Sequence, residues 1–162
     1  MLRTRPLEAF ACGFNPTTAR SPEPRGAQSV MSVLSQDGLD ELSTTSRNQI
    51  CHLKDGKISL KFLNPQDIGL TKASISDIQV TSKEESIKAF VSVLRGTANK
   101  SMIEVTALNA AAGLIISDIA NDFVDATPVA LNAIKSGKAY EVFKNLILFC
   151  GDISKIEEFE KS

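Results

Sequence analysis

Residues 107–114, Ala-Leu-Asn-Ala-Ala-Ala-Gly-Leu, lie inside the most apolar stretch of the chain, 101–119. The spacing predicts a helix that is hydrophobic nearly all round. Such a helix is buried on several faces, and small side chains let its neighbours approach closely. The rest of the chain must supply what covers it. Val30-Met31-Ser32-Val33-Leu34 reads as a short apolar strand. Two alternating runs, 49–53 and 57–62, flank Lys54-Asp55-Gly56, which is a strong hairpin signal. Asn64-Pro65 and Ile68-Gly69-Leu70 mark turns. Beyond Thr81 the period becomes helical. Ser82 stands three residues before Glu85 in capping-box spacing, and Gly96 closes that helix. A further helix is expected from near Asp125 to Ser136-Gly137. A last one, 139–150, places Val142, Phe143, Leu146, Ile147 and Cys150 on one side, with Gly151 as its cap. Strand, hairpin, then four helices make the class α/β or α+β.

Residues 1–26 differ from the rest and are expected to be an irregular or foreign arm, with 27–162 as the folded part. Four of the 6 prolines and the arginines Arg3, Arg5, Arg20 and Arg25 fall before residue 30, so this start carries a net positive charge. Organellar targeting is one meaning of an Arg-rich start, but the prolines and the acids Glu8 and Glu23 oppose an amphipathic helix. Over the whole chain 18 Lys+Arg face 19 Asp+Glu, which excludes a strongly basic nucleic-acid binder. No apolar run reaches the roughly 18–20 residues of a membrane span. Cys12, Cys51 and Cys150 are scattered and odd in number. They suggest packing thiols in a reducing, cytoplasmic setting rather than a disulfide framework or a CxxC pair.

The chemistry is concentrated at Asp37-Gly38-Leu39-Asp40-Glu41, three acids in five residues at the carboxyl end of the first expected strand. In open α/β sheets that edge is where ligands usually sit. Adjacent carboxylates with no base nearby repel one another if buried, unless a cation neutralises them. A hard divalent ion suits them, since Mg²⁺ takes one or two carboxylates plus phosphate and water oxygens. The plainer alternative is a solvated polar turn.

Val30 to Ser43 resembles the Asp-Gly-Leu-Asp-Glu segment of the anthranilate phosphoribosyltransferases, a branch of glycosyltransferase family 3. The similarity continues in register through Lys54-Asp55-Gly56 and Asn64-Pro65-Gln66-Asp67-Ile68-Gly69-Leu70. Beyond these it takes in Leu108-Asn109-Ala110-Ala111-Ala112 and Ser136-Gly137-Lys138-Ala139, covering about 27–150. The resemblance implies an α/β fold, part of a nucleoside phosphorylase/phosphoribosyltransferase-type catalytic domain. It also implies transfer of phosphoribosyl from phosphoribosyl pyrophosphate to anthranilate in tryptophan biosynthesis. Mg²⁺ would be the cofactor, Asp40 and Glu41 its ligands, and a homodimer the assembly. Asp37 belongs to the turn and receives no ligand role.

Family enzymes are about twice as long. Their first half holds a helical domain, a Gly-rich GTGGD-like loop, KHGNR-like and NIGN-like segments and an anthranilate-binding Arg, none with a counterpart here. From residue 27 onward the only arginines are Arg47 and Arg95. A diphosphate needs N–H donors or cations as well as metal, so the chain alone is expected to be inactive. The sequence assigns no catalytic or substrate-contacting residue. A pyrimidine-nucleoside phosphorylase-like enzyme and a non-catalytic remnant or interaction module stay open as alternatives. His52 is read as structural, and Asn109 as making a helix-packing hydrogen bond. With half of a sheet absent, exposed edges and apolar faces should bring marginal stability or association, with 107–116 the most apolar part.

Overall fold

The structure is a computed structural model that describes residues 29–152 and Ser154. The expected arm 1–26 lies outside the described residues. Three strands, β1 (Ser29–Ser35), β2 (Asn48–Lys54) and β3 (Lys57–Leu63), form one antiparallel sheet in the order β1-β2-β3. Asp55 and Gly56 both take positive φ, 49° and 73°, and Lys54 pairs with Lys57 across them. Two left-handed residues match the right-handed twist of the flanking strands, which is why Asp-Gly joins β2 to β3. The chain then runs through a 3-10 turn, Pro65–Ile68, and a short helix α1 (Ile75–Ile78). Four longer helices follow: α2 (Lys83–Leu94), α3 (Lys100–Ile116), α4 (Phe123–Lys135) and α5 (Lys138–Cys150). Together they are part of an α/β domain. Among the described residues no helix is long and apolar enough to cross a membrane.

The caps explain where the helices begin and end. Ser82 Oγ accepts the Glu85 N–H at 3.1 Å, as the spacing requires. The returning half of the box reaches one residue further than expected, because the Glu85 carboxylate accepts the N–H and hydroxyl of Thr81, each at 2.8 Å. Asn99 caps α3 by accepting the Met102 N–H, and Asp122 caps α4 by accepting that of Asp125. The apolar helix stops at Ile116, three residues short of the expected end. Ser117 leaves helical geometry and Asp118 turns left-handed at φ 56°. At the C-terminus of α5, Gly151 is the cap, as expected, its N–H donating to the Ile147 carbonyl at 2.8 Å from an extended rather than left-handed geometry.

α3 is the spine. Leu108 joins Leu42, Ile50 and Leu70 in one cluster beneath the sheet, with Met31, Val33 and Leu63 packed against it. Ala107 joins Val93, Ala130 and Ile134 in a second, and Ala111 and Ile115 join Ala126 in a third. Ala107, Ala111 and Ala126 are wholly buried, so α3 and α4 meet through methyl groups and approach closely. Glu104, also on α3, is buried and accepts the Thr71 N–H at 2.8 Å, with Lys100 Nζ 3.6 Å away, which ties the loop after the sheet to the helix.

The core of the 107–116 stretch is covered by this chain's own elements, as a helix apolar nearly all round requires. Apolar exposure falls instead on Leu60 and Phe62 of β3 and on α5, where Phe149 is 91% exposed. The stripe expected on α5 splits, because residues 143 and 147 share a face that 142, 146 and 150 do not. Phe143 and Ile147 are half-buried, with Phe143 edge-on to Phe90 at 5.2 Å. Val142, Leu146 and Cys150 face outward. Cys51 is buried, as expected of a packing residue.

Leu108→Ala should lower unfolding stability by about 2–4 kcal/mol, read from urea denaturation, because a fully buried leucine leaves a cavity that fixed neighbours cannot fill.

Candidate functional site

The acidic turn leaves the sheet where β1 ends and β2 begins. Ser35, the last residue of β1, pairs with Asn48, the first of β2. Its N–H donates to the Leu39 carbonyl at 2.9 Å and its carbonyl accepts the Gly38 N–H at 3.0 Å. The reversal needs φ +93° at Gly38, a left-handed value that glycine adopts without a Cβ clash. The parallel-sheet rule that placed ligands at this edge does not apply, since all three strands are antiparallel. What locates the site is the way the turn is held.

Asp37, which the sequence left without a role, organises one side. Its carboxylate accepts the hydroxyls of Ser43 at 2.8 Å and of Thr45, and the Leu39 N–H at 3.2 Å. Partial burial pushes the Asp37 carboxyl up, but the Thr45, Ser43 and Ser35 hydroxyls and the Leu39 amide together outweigh it and hold the group down at about 2. Asn48 and Asn109 hold the other side. Asn48, fully buried at the start of β2, accepts the Ser43 N–H at 2.7 Å and donates to the Ser43 carbonyl at 2.9 Å. Asn109 on α3 does the same to Leu42, at 3.0 and 2.7 Å. Its bond is therefore to the acidic loop and not, as expected, to a neighbouring helix. The Leu42 side chain is 1% exposed in the core.

Asp40 and Glu41 stand at the crest of this loop, both exposed in a bend. Neither makes a hydrogen bond or ion pair among the described residues, so four carboxylate oxygens are available. Among the described residues no group of three or more His, Cys, Asp and Glu side chains could hold a metal ion by itself. Two adjacent hard-oxygen donors open to solvent suit a cation that completes its shell with water and phosphate oxygens. That is the habit of Mg²⁺ rather than of Zn²⁺. Leu34, half exposed, is the nearest apolar side chain before the turn in the sequence.

The cations do not gather round the acids. The Arg47 guanidinium lies over the Phe62 ring at 4.3 Å, and that of Arg95 over Tyr140 at 5.0 Å. His52 lies on β2, its Nε2 2.9 Å from Ser29 Oγ. Burial, and then the positive charges of Lys54 and Lys61, lower its pKa, as suits a neutral structural imidazole. The sequence signal for the missed residues was the run Ser43-Thr44-Thr45-Ser46 directly after the acids. Four hydroxyl side chains beside an Asp commonly form local networks with it. Nothing in the spacing marked Asn48, or Leu42 as the partner of Asn109.

Asp37→Asn removes a group whose folded value lies below its ordinary 3.8. The carboxylate's stabilising contribution is complete above that value and is lost as pH falls through about 2. The urea midpoint of the wild type should exceed that of Asp37→Asn by a constant amount at neutral pH. The gap should close as pH falls from 3.8 toward about 2, which a series of unfolding curves measures.

Residues 16–140 match the family model described as glycosyl transferase family, a/b domain. An anthranilate phosphoribosyltransferase of Nitrosopumilus maritimus is 49% identical over 134 residues, covering 83% of this chain and 38% of the relative. The chain thus spans well under half the length of that relative. Among solved structures, the anthranilate phosphoribosyltransferase of Thermus thermophilus superposes with TM-score 0.68 at 23% identity, over 75% of this chain and 35% of that one. That of Saccharomyces cerevisiae in complex with PRPP and Mg gives 0.63 at 21% identity, over 73% and 33%.

Proposed function

The chain belongs to the glycosyl transferase family with this α/β domain, and on that premise we propose that it carries the magnesium-binding turn of an anthranilate phosphoribosyltransferase. The observation that carries the reading is the exposed, unpartnered Asp40-Glu41 pair on a loop gripped at the backbone from two sides. The yeast protein of this kind was solved with PRPP and Mg. In the reaction proposed, the amine of anthranilate displaces pyrophosphate from C1 of phosphoribosyl pyrophosphate.

Asp40 and Glu41 would hold Mg²⁺ against the diphosphate. Bound there, the ion would neutralise charge that develops on the leaving group. The chain's own contribution is to present two carboxylates together and to keep them free of competing cations. Arg47 is turned onto Phe62, so it does not quench the pair. Asp37 stays ionised down to about pH 2 and spends its oxygens on Ser43, Thr45 and Leu39, which leaves the metal position to its neighbours. No phosphate cradle accompanies the pair among the described residues, where both arginines are stacked on rings. The phosphoribosyl and anthranilate contacts are therefore assigned to parts of the catalytic domain that these residues do not supply.

Incubated alone with anthranilate, phosphoribosyl pyrophosphate and Mg²⁺, the chain should give no turnover. Residues 29–150, exchanged for the matching segment of the 49%-identical relative, should yield an active chimaera. In that chimaera Asp40→Asn/Glu41→Gln should cost at least about a hundredfold in kcat/KM. A folded but inactive chimaera, or full activity without the two acids, overturns the reading.

A further inference from the structure

Asn109 is the one amide in the Ala107–Leu114 stretch, half-buried on a helix that otherwise packs through methyl groups. Its Oδ1 accepts the Leu42 N–H at 3.0 Å, and its Nδ2 donates to the Leu42 carbonyl at 2.7 Å and to the Val105 carbonyl at 3.0 Å. One side chain thus satisfies both polar groups of a residue 67 positions away, as a partner strand would. Leu42 directly follows Glu41, and its side chain packs in one cluster with Leu108, the residue before Asn109. Side chain and main chain of Leu42 are therefore fixed by the same turn of α3.

We propose that Asn109 is a positioning residue: by clamping Leu42 at both backbone groups it holds Asp40 and Glu41 where they are presented together to a divalent cation, and so sets the turn's affinity for it. This rests on the reading of those two acids as metal ligands. Asn109 is not a ligand itself, since its oxygen and its amide protons are already spent on Leu42 and Val105. No other residue bonds the Leu42 N–H or carbonyl among the described residues, so removal of the amide leaves two backbone groups to find water. A bend that is solvated at Leu42 can swing its two acids apart. Asn48 bonds Ser43, Ser46 and Leu63 but not Leu42.

The test uses the full chain with Mn²⁺ as the probe, its paramagnetic broadening of the turn amides giving a Kd. Amide hydrogen exchange at Leu42 reports the clamp separately. In Asn109→Ala, and in Asn109→Ser should the first fold poorly, Leu42 exchange should accelerate and Mn²⁺ should bind about tenfold more weakly. Ile134→Val, a truncation in the second core cluster, serves as the control for general loss of stability and should leave Kd unchanged. Folded Asn109 variants with wild-type Mn²⁺ affinity, or an equal weakening in Ile134→Val, overturn the proposal and leave the metal reading standing. Mn²⁺ that fails to broaden the wild-type turn, or broadens it equally in Asp40→Asn/Glu41→Gln, overturns the metal reading and the proposal with it.

Discussion

The burial of α3 on three sides is the constraint from which the rest of the structure follows. A helix whose inner face is Ala107, Leu108, Ala111 and Ile115 has no stable place in water, and one element cannot cover it. The sheet takes Leu108, α4 takes Ala107 and Ala111, and α2 brings Val93 to the same side as Ala107. Because the α3–α4 contact is made through methyl groups, the two helices lie close, and little room remains for either to shift. That rigidity is what makes a single polar side chain on α3 useful.

Asn109 ties a packing helix to the acidic loop. The acidic loop leaves the sheet on the far side of Leu42, and an exposed bend of that kind would ordinarily be mobile. Here Leu42 and Ser43 are each held at N–H and carbonyl by an asparagine amide, one from α3 and one from β2. Asp37 closes the opposite side through Ser43 and Thr45. The acids at the crest are left with solvent on one side and a fixed backbone on the other, which is the arrangement a weakly held hard cation needs.

Much of the fold was legible in local chemistry. Asp55-Gly56 between two alternating runs determined the hairpin, because only a left-handed pair of residues reverses the chain there. Ser82 marked the start of α2, since its hydroxyl answers an N–H that has no partner in the helix. Asp40 and Glu41 could be singled out because like charges side by side, without a base, demand either water or a metal. Features that depend on distant partners were not legible. Asn109 reads from the sequence as a hydrogen-bonding residue between helices, and its actual partner is hidden because the bond to Leu42 closes over 67 positions. The two faces of α5 could not be separated by apolar content, since Val142 and Phe143 are both hydrophobic and only one of them meets Phe90's neighbourhood.

By itself the sequence determined the hairpin, the longer helices, the Ser82 cap and the acidic turn, because each of these is settled by residues within a few positions of one another. Only the tertiary structure decided that the sheet is antiparallel throughout, that Asp37 gathers Leu39, Ser43 and Thr45 around its carboxylate, and that Asn109 and Asn48 hold the loop between them. Backbone hydrogen bonds to a side chain have no period and no spacing rule. They exist only once packing has brought a helix and a loop to within about 3 Å, and here that approach comes from Leu42 packing in one cluster with Leu108.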